Sequence, residues 1–179
     1  MNSFYKLNKV FFRVLLLSLS LHASAAPPEL QTKGQVIYLA DNLDEADKLG
    51  WCIDTLGRGF ADTLQAHSCK PRGGDVQFSY DAQRHRIQSV AFAEYCMSLI
   101  SPDNNSVPFG LVPCDLNDPK QGFVFDSTSG LIQLQSDLNL CVVVGDSSRS
   151  AGPFMSRDLM LSDCKNTEPR LSVWVYRSK

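Results

Sequence analysis

Three stretches of the chain alternate apolar and polar side chains with the period of a half-buried strand: Val76–Tyr80, Gln121–Phe125 and Ser172–Tyr176. Their aromatic positions correspond. Phe78, Phe123 and Trp174 come first, and Tyr80, Phe125 and Tyr176 follow two residues later. The strand period makes Phe78, Phe123 and Trp174 core residues. A second kind of strand recurs as well. Ile87-Gln88 and Ile132-Gln133 each lie nine residues before a cysteine, and Val36-Ile37 fills the same role at the start. Turn signals stand between the strands at Arg72-Gly73-Gly74, Pro102-Asp103-Asn104, Ser129-Gly130 and Gly145-Asp146. One segment departs from this pattern. In Asn42–Lys48, Asn42 and Glu45 have capping-box spacing and Gly50 follows, which predicts one or two helical turns. The rest reads as about four short strands per unit, an all-β chain.

The cysteines give the unit its length. Cys52 to Cys96 is 44 residues and Cys96 to Cys141 is 45. The partner cysteines Cys69, Cys114 and Cys164 follow the first set by 17, 18 and 23 residues, so the third unit has the longer loop. A bulky residue precedes each first cysteine: Trp51, Tyr95 and Leu140. Trp51 and Tyr95 are expected in the core. Six cysteines allow 15 pairings. The equal repeats favour Cys52–Cys69, Cys96–Cys114 and Cys141–Cys164, each unit carrying its own staple. Pairing across units, which breaks the symmetry, is the alternative. Loops of this size stabilise by about 3 kcal/mol each on the chain-entropy model. A unit of about 45 residues cannot bury its apolar face alone. Propellers normally need four blades, so three units favour a threefold closed barrel.

Ahead of the repeats, residues 1–25 have the three parts of a secretory signal. Lys6, Lys9 and Arg13 are positive, Val14 to Leu21 is apolar, and Ala23-Ser24-Ala25 is a cleavage pattern. The apolar stretch is too short to span a bilayer, so no membrane span is expected in the mature chain. An exported chain, secreted or periplasmic, meets an oxidising compartment, which suits six cysteines. Asn104-Asn105-Ser106 fits a glycosylation acceptor, relevant only in a eukaryotic secretory route. The formal charge is −2 over 179 residues; without residues 1–25, 14 bases face 19 acids, or −5. That balance argues against a nucleic-acid partner, which needs a basic face.

A Cys-x-Asp element in the first unit, the Gln-bearing stretch before its second cysteine and later Gln-x-aromatic forms identify a family resemblance. The chain resembles the ricin B-type lectins over about Gln35 to Arg177. Trp51-Cys52-Ile53-Asp54 supplies the first element and Leu64-Gln65-Ala66-His67-Ser68-Cys69-Lys70 the second. Gln121-Gly122-Phe123 is a Gln-x-Phe form of the third, and Ser172-Val173-Trp174 keeps only the tryptophan. The resemblance implies a β-trefoil. The expected layout is a signal peptide at 1–25, an extension at 26–34 and a trefoil at 35–179, with repeats at about 35–81, 82–126 and 127–177. It also implies a sugar site in the first unit. Asp54 matches the hydroxyl-binding carboxylate, Gln65 the amide, His67 the stacking position, Lys70 a basic rim position and Asp75 the later polar position. A carboxylate has several acceptor sites for vicinal hydroxyls. Gly57 and Gly59 are expected to let the loop between them and the site approach closely. His67 stands where the family has Trp or Tyr, and its smaller, more polar ring weakens stacking. The second unit has Ser98, Val112 and Lys120 at these positions and the third has Val143, Ser162 and Leu171. Both are expected to be inactive for this type of binding.

Structural readings compete with these roles. Asp54 also fits a turn residue bonding its own backbone, and His67 a packed or solvent-facing histidine. Enzyme chemistry has little support. Asp62, His67 and Ser68 form the only compact triad-like set, yet neighbours in a strand face opposite sides. No nucleophile elbow is present. Asp54 and Asp75 invite a glycosidase reading that the lectin pattern already explains. Only His67 and His85 lie outside the signal and no Cys-x-x-Cys occurs, so no metal or other cofactor is expected. The expected function is non-catalytic recognition of a glycan or glycoconjugate through one site. The alternative is a protein-interaction or cell-surface-binding subunit of a toxin-like assembly. Two defective units imply a homo-oligomer or a protein partner.

Overall fold

The computed structural model describes residues 27–101 and 107–179. The signal, Pro102-Asp103-Asn104 and Asn104-Asn105-Ser106 lie outside the described residues. The first unit contributes β1 (Val36–Leu39), β2 (Trp51–Thr55), β3 (Leu64–Ser68) and β4 (Phe78–Asp81). The second contributes β5 (Arg86–Ser89), β6 (Tyr95–Leu99), β7 (Phe109–Pro113) and β8 (Phe123–Asp126). The third runs β9 (Leu131–Leu134), β10 (Asp137–Val144), β11 (Arg149–Ala151), β12 (Phe154–Arg157), β13 (Leu159–Asp163) and β14 (Trp174–Arg177).

Each unit ends on a strand that opens the next sheet. β4 pairs with β5 and β8 pairs with β9, both antiparallel. β14 returns to pair with β1, placing Val36 opposite Arg177 and Leu39 opposite Trp174. That last pairing closes the barrel. Three disulfides join Cys52–Cys69, Cys96–Cys114 and Cys141–Cys164, with Cα atoms 5.2, 4.9 and 5.1 Å apart. Every bridge lies within its own unit.

The core is a stack of triplets, one member from each unit. Ile37, Ile87 and Ile132 form one, and Ile53, Met97 and Val142 another. Leu64, Phe109 and Leu159 form a third, and Ala66, Leu111 and Leu161 a fourth. Phe78, Phe123 and Trp174 complete the stack, each essentially inaccessible to water. The two buried indoles are satisfied: Trp174 Nε1 donates to the Val142 carbonyl at 2.8 Å and Trp51 Nε1 to the Asn42 carbonyl at 3.0 Å. Tyr95 is half-buried against the same core.

Three details differ from the sequence reading. Asn42–Lys48 is a pair of turns, not a helix. Leu43, Asp44 and Lys48 have φ of 55°, 56° and 56°, which a right-handed helix forbids. The Asn42 side chain does cap locally, its Nδ2 donating to the Glu45 carbonyl at 2.8 Å and its Oδ1 accepting from the Gly50 amide at 3.0 Å. Second, the aromatic strands begin later than their alternation suggests. A single 3-10 turn occupies Gly74–Val76 and another Pro119–Gln121, and a short helix, α1, occupies Pro169–Ser172. Third, Gly57 and Gly59 sit in open space, so no close approach requires them. They hold φ of 114° and 75°, which side-chain-bearing residues avoid.

The longer third loop has a defined destination. β11 and β12 form a hairpin that leaves the third unit and joins the first unit's sheet, whose order is β11-β12-β3-β2-β1-β14. Ser156 lies opposite His67 and Arg157 opposite Ala66. Arg157 anchors the hairpin. It is buried, sits 4.6 Å over the Trp51 ring, and donates to the carbonyls of Gly145 at 3.1 Å and Asp146 at 2.7 Å.

Candidate functional site

The β2–β3 register decides which side chains meet. Cys52 lies opposite His67, Ile53 opposite Ala66 and Asp54 opposite Gln65. Opposed residues share a face and successive residues alternate. Ile53 and Ala66 therefore enter the core, while Asp54, Gln65 and His67 emerge together on the outer face. Lys70 follows β3 directly, and Asp75 arrives through the 3-10 turn. All five residues anticipated from sequence are thus brought into one cluster.

Lys70 is its centre. Its Nζ donates to Asp54 Oδ2 at 3.2 Å and to Asp75 Oδ2 at 3.0 Å. His67 Nδ1 is 3.6 Å from the same Asp54 oxygen and 2.9 Å from the Ser68 carbonyl. That carbonyl can only accept, which assigns the proton to Nδ1 and leaves Nε2 as an acceptor. Gln65 Nε2 donates to the Thr55 carbonyl at 3.2 Å. The second oxygens, Asp54 Oδ1 and Asp75 Oδ1, are buried and make no well-formed hydrogen bond among the described residues. Unsatisfied buried acceptors of this kind are uncommon in a folded core and cost stability.

Burial sets the electrostatics. Asp54 is wholly inaccessible, and desolvation pushes its carboxyl up to about 7 from 3.8. The Lys70 ammonium opposes this rise and the Asp75 charge adds to it. Burial also lowers the His67 imidazole below 6.5, against the pull of the Ser68 carbonyl, so His67 is neutral at pH 7. This corrects the turn reading of Asp54. Its side chain bonds a lysine sixteen residues away, within a strand rather than a turn.

Above the cluster lies a hollow of about 690 Å³ whose wall includes Gln65, His67, Lys70 and Asp75. Asp54 is beneath this floor, behind Lys70. The opposite wall comes from the β11–β12 hairpin, with Phe154 and Ser156 contributing. The Phe154 ring stands edge-on to His67, centroids 5.8 Å apart and planes at 62°. Sequence reasoning missed Phe154 entirely. The 23-residue spacing flagged an insertion, but nothing local says that it adds to the first unit's sheet. Hollows of about 500 and 590 Å³ occupy the corresponding positions of the other two units. Ser98, Val112 and Lys120 line the former, and Val143, Ser162 and Leu171 the latter. These six positions hold no carboxylate or ring, although Asp115 and Asp118 line the former hollow elsewhere and Asp146 and Glu168 the latter.

Three units closing on shared triplets, with an outer-face hollow on each, define a β-trefoil of the lectin type. Residues 42–174 match the Ricin-type beta-trefoil lectin domain, well over half of the sequence. The chain belongs to that family. The fold is similar to the earthworm R-type lectin C-half solved with GalNAc, at 16% identity and TM-score 0.56, covering 81% of this chain and 99% of that one. It is also similar to the cytolethal distending toxin of Actinobacillus actinomycetemcomitans, at 16% identity and TM-score 0.57, covering 81% and 91%. A third similar structure is the beta-trefoil lectin of the Vibrio vulnificus hemolysin/cytolysin, with N-acetyl-D-lactosamine bound, at 12% identity and TM-score 0.54, covering 82% and 95%. No curated protein matches the sequence. Among the described residues, no helix is long and apolar enough to cross a membrane.

Proposed function

We propose that this chain is an exported, non-catalytic glycan-binding protein that works through one site, the hollow over the first unit. A single observation carries the reading. Three hollows occupy equivalent places, and only the first brings an imidazole and a phenyl ring together with a carboxylate and an amide. Asp75, Gln65 and Lys70 present acceptors and donors to hydroxyls, while His67 and Phe154 offer ring surface to the less polar face of a pyranose. Asp54 serves from below. It holds Lys70 against the floor, and its free oxygen becomes reachable when the flexible lysine stem swings aside. Similar folds have been solved with GalNAc and N-acetyl-D-lactosamine, so galactose-type sugars belong in the first test. Residues 1–25 direct export, and the three disulfides suit an oxidising compartment.

Titration of the purified protein with a glycan panel tests this. Binding that Asp75→Ala abolishes while far-UV circular dichroism stays native supports the reading. An Asp75→Ala protein that binds as well as the parent refutes the site.

A second reading is a subunit that docks on a protein partner, as in a toxin-like assembly. It is favoured by Phe60, which is 48% exposed although its ring packs on Phe92 and Tyr95 at 5.3 and 4.7 Å. A stoichiometric partner that copurifies from the native host, together with silence on every glycan, would select it.

A further inference from the structure

The lip of the first-unit hollow carries a charge pattern that the sugar site does not need. Four basic side chains line the hollow: Arg58, Lys70, Arg72 and Arg149. One carboxylate, Asp75, lines it with them. The chain as a whole has a net charge of −2, so this concentration runs against the composition. Lys70 is neutralised by Asp54 and Asp75, and Arg149 by Asp158 at 2.6 Å. Arg58 and Arg72 make no ion pair and no side-chain hydrogen bond among the described residues.

Exposed arginines are usually solvated ornaments of a surface, and two features separate these from that case. The first is that each loop is joined to the frame of the hollow. Arg58 sits between Gly57 and Gly59, both in the left-handed region, and the loop is tied down where Thr55 Oγ1 donates to the Gly59 carbonyl at 2.6 Å. Arg72 precedes Gly73, whose φ is 101° and where an added Cβ would run into Asp75 Oδ1. The second is the wall between them. Leu56, Phe92, Pro153 and Phe154 line the same hollow, and apolar walls of this kind strengthen the field of nearby charges. A planar guanidinium fork fits a carboxylate or a sulfate through paired hydrogen bonds.

We infer that the hollow takes an acidic saccharide, with the sugar ring on the floor formed by His67, Phe154 and Asp75 and its anionic group held at the lip by Arg58 and Arg72. This rests on the glycan-binding reading above and names the ligand class for that site. The anion is a carboxylate on a sialic or uronic acid, or a sulfate ester on a neutral sugar. A carboxylate offers two coplanar oxygens and a sulfate ester three around a tetrahedral sulfur, and in either case a pair of oxygens can meet a guanidinium fork.

Calorimetric titration at about 0.15 M salt, where exposed charges are screened beyond about 8 Å, decides the matter. The probes are lactose, sialyllactose, a sulfated lactose and inorganic sulfate. The expected result is that at least one acidic sugar binds about tenfold more tightly than lactose, the weight of one charge-assisted hydrogen bond. Sialyllactose alone identifies the carboxylate, and sulfated lactose alone the sulfate ester. In the double variant Arg58→Gln/Arg72→Gln the preference is expected to fall below about twofold on the same scale, since that loses the same charge-assisted bonds. Both arginines are exposed and unpaired, so folding, read by the melting temperature, should be unchanged. Lys165→Gln, an exposed base away from the hollow, should keep the full preference. Equal binding of lactose and both acidic sugars overturns the inference and leaves the glycan-binding reading standing. Competition by inorganic sulfate as strong as by the acidic sugar reduces the lip to an ion site and also overturns it. Silence on neutral and acidic sugars alike overturns both.

Discussion

Replacing Asp54 by Asn should flatten the pH dependence of stability. Asp54 is inaccessible to water, and burial raises its carboxyl to about 7, against 3.8 when the chain is unfolded. The folded protein therefore binds this proton more tightly than the unfolded chain does. Stability rises with pH only where the unfolded state holds more protons, so here it falls. The contribution is fully present below about pH 3.8 and is lost as pH climbs through 7. Each tenfold gain in proton affinity is worth about 1.36 kcal/mol, so the rise from 3.8 to about 7 sets a ceiling of about 4 kcal/mol. The swing realised is smaller, because Lys70 can tighten onto the oxygen as it ionises. For a domain of this size 1 kcal/mol moves the melting temperature by about 2–4 °C. His67 titrates in the opposite sense. Its lowered folded value makes stability fall as pH drops below about 6.5. Because His67 Nδ1 lies 3.6 Å from Asp54 Oδ2, the comparison of parent with Asp54→Asn, repeated in a His67→Gln background, separates the Asp54 contribution from that of His67. Melting curves by circular dichroism from pH 4.5 to 8.5 should show the Asn variant gaining on the parent by several degrees as pH rises. Parallel curves would mean that Asp54 ionises at its ordinary value, and the burial argument would be wrong.

Three further outcomes follow from the packing. Phe123→Ala removes one member of a core triplet and should cost about 3–5 kcal/mol in denaturant unfolding. Replacing Cys52 and Cys69 together by Ala opens a 17-residue loop and should cost about 3 kcal/mol, measured the same way. Phe154→Ala should weaken glycan binding severalfold, about the 0.5–1.5 kcal/mol of one ring contact, because that ring faces the hollow beside His67. The parent's circular dichroism should persist in the Phe154 variant.

The parts legible in the sequence were those repeated three times. The cysteine spacings and the aromatics Phe78, Phe123 and Trp174 each carry a threefold signal, and the closed barrel follows from it. Asp54, Gln65, His67, Lys70 and Asp75 were legible through the Cys-x-Asp pattern and meet in one cluster. What stayed hidden depends on chain segments far apart in sequence. Phe154 reaches His67 only because β12 pairs with β3, 87 residues earlier by the Ser68–Met155 contact. The sequence also did not reveal that Lys70 would lie across both carboxylates, leaving Asp54 under the floor. Asn42–Lys48 misled because Asn42 does bond Glu45, but through its Nδ2 to the Glu45 carbonyl rather than as a capping box, and the left-handed Leu43 and Asp44 break the helix.

The strand register explains how the first unit can differ from the other two on its outer face. Ile53, Met97 and Val142 are buried in one shared core cluster, so a change in any of them reaches packing that all three units share. Asp54, Ser98 and Val143 stand one residue later on the outer face, where their neighbours come from their own unit. Swapping a carboxylate for a hydroxyl or an isopropyl group there leaves the triplets intact. The constraint on Asp54 is therefore of another kind. A wholly buried carboxylate with a strongly raised pKa is a burden on folding that Ser98 and Val143 show the fold does not require. A buried carboxylate with Lys70 and Asp75 arranged around it, beneath a hollow walled by a hairpin from the third unit, is the arrangement on which the proposed binding role rests.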